Sequence, residues 1–135
     1  MSSTKSASLH LAVHIEAPAV DVYSFAADPA HLPRWAAGLG RSIEMREGRW
    51  FAASPMGEVE VAFVPENPYG VLDHDVTLPD GTTVTNPMRV IADAAGCEVV
   101  FTLRRPPGTS DEAFDADAAA VRADLESLRR LMEGS

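Results

Sequence analysis

His74 stands between two carboxylates, in the run Leu72-Asp73-His74-Asp75-Val76. An imidazole beside carboxylates can serve as a general acid or base, or as a metal ligand. In an extended strand, however, successive side chains point to opposite faces, so Asp73 and Asp75 share one face and His74 lies on the other. Because the face of His74 also carries Leu72 and Val76, it is otherwise apolar. The pattern argues against a metal site, and no catalytic residue is assigned beyond His74 as a candidate.

The turn that follows this strand predicts which residue faces His74. Pro79-Asp80-Gly81 fits a three-residue hairpin loop, in which a type I turn begins with proline and the glycine takes the left-handed conformation. Counting back from this loop pairs His74 with Asn86 and Leu72 with Met88, which matches polar with polar and apolar with apolar. A two-residue loop would place carboxylates opposite Asn86 and Met88, so we favour the longer loop.

Three roles are open for the predicted pair of His74 and Asn86 in this apolar wall. The two side chains can satisfy each other or a buried water, as a purely structural hydrogen bond. They can instead form a polar anchor that orients a bound ligand. General acid or base catalysis is the third role, although nothing else in the sequence supplies an obvious nucleophile with its own base.

Large aromatic residues are further candidates for contact with a ligand. Trp35 and Trp50 have the area and the indole donor to form a pocket wall, and both also fit plain core positions. Tyr69 lies between Pro68 and Gly70 near a sheet edge, where its phenol can reach a pocket mouth or only water. The predicted ligand-binding residues are His74, Asn86, Trp35, Trp50, Tyr69, Met88, Phe114, Val121 and Leu125.

Alternating apolar residues and turn signals predict about seven strands, with two short helices after the first strand. The first helix ends at Asp28-Pro29, and the second carries Leu32 and Trp35. Pro87 lacks an N–H and marks a bulge or an edge inside one strand. The predicted strands are Ser8 to Glu16, Ser42 to Met45, Trp50 to Ala53, Glu58 to Val64, Val71 to Leu78, Thr82 to Ala92 and Gly96 to Arg104.

A long final helix follows the last strand. Thr109 and Glu112 fit a capping box at its start. Its apolar positions fall on one stripe, formed by Phe114, Ala118, Val121, Leu125, Leu128 and Met132. This helix is the only long amphipathic element in the sequence that can bury the apolar face of the strands. The sheet must therefore wrap around it. Because this stripe contains the small side chain of Ala118, it cannot fill all of the space inside a curved sheet. We therefore expect an apolar cavity between sheet and helix.

The order of elements and several short motifs resemble the START-like, birch-pollen-allergen-like superfamily, also called SRPBCC. The motifs are Ile15-Glu16-Ala17-Pro18, Val22-Tyr23-x-Phe25, Asp28-Pro29, Leu32-Pro33-x-Trp35 and the long closing helix. The resemblance runs from Ser8 to Glu133 and is strongest for the polyketide cyclase or dehydrase branch. It implies an α+β helix-grip fold, with a curved antiparallel sheet of six or seven strands around the C-terminal helix. It also implies a cavity for lipids, hormones, polyketides or aromatic compounds.

Length and composition set the remaining expectations. With 135 residues and 46% apolar content, we expect residues 1–7 to be a disordered tail and residues 8–135 to form one domain. The net charge of −9 argues against nucleic acid, and the lack of a long apolar run argues against membrane insertion. The single cysteine, Cys97, fits a small buried residue and excludes an internal disulfide. We expect a cytoplasmic protein without a cofactor, and leave open a monomer or a homodimer.

The functional hypothesis is binding of a small apolar or aromatic molecule, such as a lipid or polyketide, in the internal cavity. One alternative is a polyketide cyclase or dehydrase that acts in the same cavity. A further alternative is a protein-interaction module, related to chaperone cofactors, which would show an exposed apolar patch and little internal volume. Turnover separates the first two hypotheses, because a carrier or sensor returns its ligand unchanged.

Overall fold

The computed structural model describes residues 8–36 and 42–134, so the predicted tail at residues 1–7 lies outside the described residues. The described residues form eight strands: Ser8–Ile15 (β1), Ile43–Arg46 (β2), Arg49–Ser54 (β3), Gly57–Phe63 (β4), His74–Thr77 (β5), Thr83–Asn86 (β6), Met88–Asp93 (β7) and Gly96–Arg104 (β8). The helices are Ala19–Ala26 (α1), Leu32–Trp35 (α2) and Asp111–Met132 (α3), with a 3-10 turn at Pro29–His31 before α2.

The strands form two antiparallel sheets. One sheet has the order β1-β8-β7 and the other has the order β2-β3-β4-β5-β6. A bridge between Val71 and Arg89 joins them, together with a 2.8 Å hydrogen bond from the Leu72 N–H to the Met88 carbonyl. The expected α+β helix-grip architecture, with antiparallel strands, a long C-terminal helix and short helices after the first strand, is confirmed.

The strand count differs from the expected six or seven because the segment Thr82 to Ala92 forms two strands. Pro87 separates them, since it has no N–H to donate to a ladder. Its carbonyl instead accepts a 2.9 Å hydrogen bond from the Thr102 N–H of β8. The chain therefore pairs with β5 before Pro87 and with β8 after it.

Helix α3 closes the structure as expected, but its cap is one residue later than predicted. Ser110 is the N-cap, and its hydroxyl accepts a 3.1 Å hydrogen bond from the Ala113 N–H. Thr109 belongs to the preceding turn, where its N–H bonds to Pro106 and its carbonyl accepts from Arg105. The predicted capping box between Thr109 and Glu112 is therefore wrong.

The core lies between the sheets and one stripe of α3. Ala118, Leu125 and Leu128 of this stripe belong to one buried cluster, which also contains Ile15 of β1. Cys97 is fully buried in the same cluster, as predicted, and burial raises the pKa of its thiol. Helix α3 packs on β1, β8 and α2. The face of α3 that looks toward β5 and β6 is where a pocket opens.

Candidate functional site

A pocket of about 200 Å³ lies where α3 and the end of α2 face β5, β6 and β8. Most of its walls are apolar or aromatic, and several of them are deeply buried. Trp35 is 5% exposed, Phe101 is 9% exposed and Leu125 is 2% exposed. The lining residues are Trp35, Ala36, His74, Asn86, Phe101, Leu103, Asp117, Ala120, Val121, Asp124 and Leu125.

His74 is the buried polar residue of this wall, with 4% exposure. It lies on the inner face of β5 beside Val76, because alternation turns Asp75 outward. The Nδ1 atom of the ring lies 2.9 Å from the carbonyl oxygen of Leu72. A carbonyl can only accept, so Nδ1 must carry the proton and donate this bond. The opposite nitrogen, Nε2, has no hydrogen-bond partner among the described residues.

The surroundings of the imidazole are aromatic. The Phe63 ring stacks on it with 4.8 Å between centroids, and the Phe101 ring meets it edge-on at 6.0 Å. Burial lowers the pKa of His74, against the opposing effects of the bond to Leu72 and the charges of Asp73 and Asp75. The ring is therefore neutral at neutral pH, and its Nε2 lone pair is available to a bound molecule.

Asn86 faces His74 across the hairpin, as the three-residue loop predicts. The register pairs His74 with Asn86 and Val76 with Val84, and a 2.9 Å bond from the Gly81 N–H to the Leu78 carbonyl closes the turn. In the described part of the chain no hydrogen bond joins the two side chains. The structural role in which the pair satisfies each other is therefore not realised.

The carboxylates that flank His74 are engaged away from the pocket. One oxygen of Asp73 accepts hydrogen bonds from the Met88 N–H at 2.9 Å and from the Arg89 guanidinium at 2.7 Å. Asp75 accepts a 2.6 Å hydrogen bond from the Thr85 hydroxyl. The two carboxylates thus bond to residues of β6 and β7 and point away from the imidazole, as the alternation of the strand predicts.

Helix α3 forms the opposite wall and brings charge to the pocket. Val121 and Leu125 come from the predicted apolar stripe, whereas Asp117, Ala120 and Asp124 lie beside it at helical spacing. Asp117 is exposed and Asp124 is half-buried. The described lining contains no lysine or arginine, so the helix side of the pocket is acidic.

The structure brings five of the predicted ligand-binding residues to one pocket: Trp35, His74, Asn86, Val121 and Leu125. The other four lie elsewhere. Trp50 is half-buried on β3 and pairs with Val61, outside the packed core. Tyr69 is 79% exposed, whereas Met88 is fully buried in the core. Phe114 is fully buried under the Arg105 guanidinium, which lies 5.4 Å from its ring centroid.

These four residues lie outside this pocket because alternation tells whether a side chain points inward, but not which part of the interior it reaches. The same limit hid the pocket residues Phe101 and Leu103, which alternate inward on β8 like ordinary core positions. In the sequence, Asp117 and Asp124 are typical of charged residues on the solvent-facing side of a helix. Their spacing of seven, with Val121 and Leu125 on the same side, was the available signal that they share a face.

A second, shallower groove lies near the start of α1. Its lining includes Tyr69, Val20 at 67% exposure and Ile91 at 49% exposure. This groove has a volume of about 460 Å³ and no buried titratable group in its described lining. It is therefore a surface feature, and the pocket beside His74 is the stronger candidate for a ligand site.

Comparison with protein families matches residues 6–133 to the model of a family described as "Polyketide cyclase / dehydrase and lipid transport". The chain belongs to this family. The polyketide cyclase, dehydrase and lipid-transport family is the branch that the sequence motifs resemble, so the expected superfamily is confirmed. No curated protein matches the chain.

Solved structures share the fold of this family member at low sequence identity. The protein XoxI from Bacillus cereus is 15% identical with a TM-score of 0.74, over 96% of this chain and 97% of that chain. Ara h 8.0201 is 12% identical with a TM-score of 0.69, over 95% and 98%. DynU16, a protein of the dynemicin biosynthetic locus, is 15% identical with a TM-score of 0.72, over 96% of this chain and 48% of that chain. At these identities the likeness concerns the fold alone.

Among the described residues no helix is both long enough and apolar enough to cross a bilayer. Membership of a family described by polyketide cyclisation, dehydration and lipid transport supports a role in handling small organic molecules.

Proposed function

We propose that this protein binds a small aromatic or otherwise apolar organic molecule in the pocket beside His74. The observation that carries the proposal is a buried imidazole, whose Nε2 has no hydrogen-bond partner among the described residues, beside apolar and aromatic walls formed by Trp35, Phe101 and Leu125. Ligand sites in proteins combine such apolar walls with a few polar groups that fix orientation. The family description supports the same kind of ligand.

The size of the pocket favours a small ligand over a long-chain lipid. Its volume of about 200 Å³ is below the range of roughly 300–1,000 Å³ that is common for ligand pockets. The aromatic rings of Trp35 and Phe101 offer faces and edges to a planar molecule. A compact aromatic compound therefore fits the pocket better than an extended acyl chain.

Binding of naphthol, followed by fluorescence titration, tests the proposal with two matched variants of α3. Ala120 lines the pocket and is exposed, so Ala120→Trp places a large ring in the pocket without removing core contacts. Ala119 is also exposed but lies on the far side of the helix from the pocket, so Ala119→Trp is the control. We expect Ala120→Trp to weaken naphthol binding at least tenfold and Ala119→Trp to leave it unchanged.

Binding that is equally insensitive to both variants would place the ligand elsewhere and contradict the proposal. Native mass spectrometry of the protein purified from its own organism complements the titration. It should detect a small organic molecule bound at one equivalent, and Ala120→Trp should abolish that adduct.

Catalysis in the same pocket is the second candidate function, and the Nε2 lone pair of His74 favours it. A neutral imidazole can accept a proton from a bound substrate, as a general base does in cyclisation or dehydration. The family description includes both reactions. Incubation with a poly-β-ketone, followed by mass spectrometry, should show loss of water if this function holds, and His74→Phe should abolish the conversion.

A further inference from the structure

Two polar side chains of the pocket are almost fully buried, and each has one polar atom without a hydrogen-bond partner among the described residues. His74 is 4% exposed and Trp35 is 5% exposed. The other polar lining residues reach solvent, since Asn86 and Asp124 are half-buried and Asp117 is exposed. Water competes least for hydrogen bonds at the two buried side chains, so these contribute most to the choice of a ligand.

The indole of Trp35 supplies a donor. Its Nε1–H is buried and has no acceptor among the described residues. An indole N–H can only donate, and a buried donor without an acceptor is uncommon because nothing compensates the loss of its hydration. Trp35 lines the pocket at the end of α2, so a molecule in the pocket can supply the missing acceptor.

The imidazole of His74 supplies an acceptor. Its Nδ1–H is donated to the Leu72 carbonyl at 2.9 Å, so the neutral ring keeps a lone pair at Nε2. Phe63 and Phe101 lie against the ring, and neither side chain has a hydrogen to donate to that lone pair. A molecule in the pocket can therefore supply the missing donor.

We infer that the pocket selects aromatic molecules that present both an acceptor to the Trp35 indole N–H and a donor to Nε2 of His74. A hydroxyl group on an aromatic ring has both functions, and a hydroxyl beside a carbonyl divides them between two oxygens. This inference rests on the proposed function and narrows its ligand class. It also gives Trp35 a polar contact with the ligand in addition to its aromatic surface.

Three bicyclic probes of similar size test the inference. Naphthalene has neither function, quinoline has only an acceptor, and naphthol has both. Equilibrium dialysis at neutral pH measures their dissociation constants for the wild type, Trp35→Phe and His74→Phe. Each variant keeps an aromatic ring and removes the polar atom. The loss for naphthalene reports the altered packing, so the additional loss for the other two probes reports the hydrogen bonds.

The two variants should change the affinities in different patterns. Trp35→Phe should weaken quinoline and naphthol about tenfold more than naphthalene, the scale of one net hydrogen bond. His74→Phe should weaken naphthol about tenfold more than naphthalene, and should affect quinoline only as much as naphthalene. Equal losses for all three probes in either variant overturn the paired contacts.

A measurement on the wild type keeps the test decisive if a variant does not fold. The chain has two tryptophans, so its indole N–H groups give two NMR signals, which Trp50→Phe assigns. The Trp35 indole proton should move downfield with quinoline or naphthol relative to naphthalene, whereas the signal of Trp50, which lies outside the pocket, should stay in place. The Nε2 nitrogen of His74 should move upfield with naphthol alone. Signals that respond to all three probes alike overturn the inference.

The outcomes distinguish the inference from the function on which it rests. Binding of the three probes without dependence on their donor or acceptor overturns the inference, while the proposed binding of an aromatic or apolar molecule stands. Failure of all three probes to bind overturns the proposed function itself.

Discussion

His74 lies directly opposite Asn86 across the β5–β6 hairpin, yet the imidazole donates its hydrogen bond to the Leu72 carbonyl, in the segment just before β5. Both side chains line the same pocket. The hairpin therefore presents two polar groups toward one space, and the orientation of the imidazole does not depend on Asn86. A ligand that contacts both would couple them.

Substitution of this pair should reveal that coupling in ligand affinity. His74→Phe and Asn86→Leu should each weaken naphthol binding by about 1 to 3 kcal/mol, the scale of leaving a polar group unmatched. The double variant should lose less than the sum of the two, because groups in one hydrogen-bond network do not contribute independently. Isothermal titration of the four proteins gives the coupling directly. Strict additivity would mean that the two residues do not share a ligand.

The stability of the protein should fall on mild acidification because of His74. Burial lowers the pKa of its imidazole in the folded state, despite the bond to the Leu72 carbonyl and the charges of Asp73 and Asp75, which raise it. Below the usual value of 6.5 the unfolded chain thus binds more protons than the folded one. The free energy of unfolding therefore keeps its full value above about pH 6.5 and falls as the pH drops below it.

Urea denaturation of the wild type and His74→Phe across this pH range measures the effect. The wild type should lose up to about 1.4 kcal/mol per pH unit more than the variant, since the variant lacks the titrating ring and keeps all other charges. Parallel profiles for the two proteins would show that His74 is protonated equally in both states.

Gly70 should be far less tolerant of a side chain than Gly48, although both have a positive φ. At Gly70, with φ of +73°, an added Cβ would lie 2.2 Å from the Val90 carbonyl oxygen. At Gly48, with φ of +80°, nothing lies within 4 Å. Gly48→Ala should cost about 1 kcal/mol from backbone strain alone, whereas Gly70→Ala adds a steric clash and should cost about 3 kcal/mol. Thermal unfolding ranks the two, and equal losses would refute the close approach.

The cap of α3 can be tested by a pair of adjacent substitutions. Ser110→Ala removes the hydroxyl that accepts from the Ala113 N–H and should lower stability by about 1 kcal/mol. Thr109→Ala should change it by less than about 0.5 kcal/mol, because the structure uses the backbone of Thr109 and not its hydroxyl. Denaturant midpoints measure both. A larger effect at Thr109 would restore the capping box that the sequence suggested.

Local chemistry was enough to predict the strand that carries His74 and its partner. Alternation placed the imidazole inward and the flanking carboxylates outward, and the Pro79-Asp80-Gly81 turn set the register that brings Asn86 opposite. Each of these features depends on residues close in the chain, so sequence reasoning could reach them. The same is true of the stripe on α3, whose spacing alone orients Val121 and Leu125.

The composition of the pocket depended instead on how distant segments meet. Phe101 of β8 and Asp117 of α3 are far from His74 in the chain, and neither carries a local sign of its role. Pro87 shows the same limit, because its missing N–H predicts an interruption but not that the chain passes there from β5 to β8. Periodicity specifies which face of an element is buried, whereas the packing of whole elements specifies what that face meets. Only the tertiary structure could therefore decide which inward residues line the pocket and which fill the core.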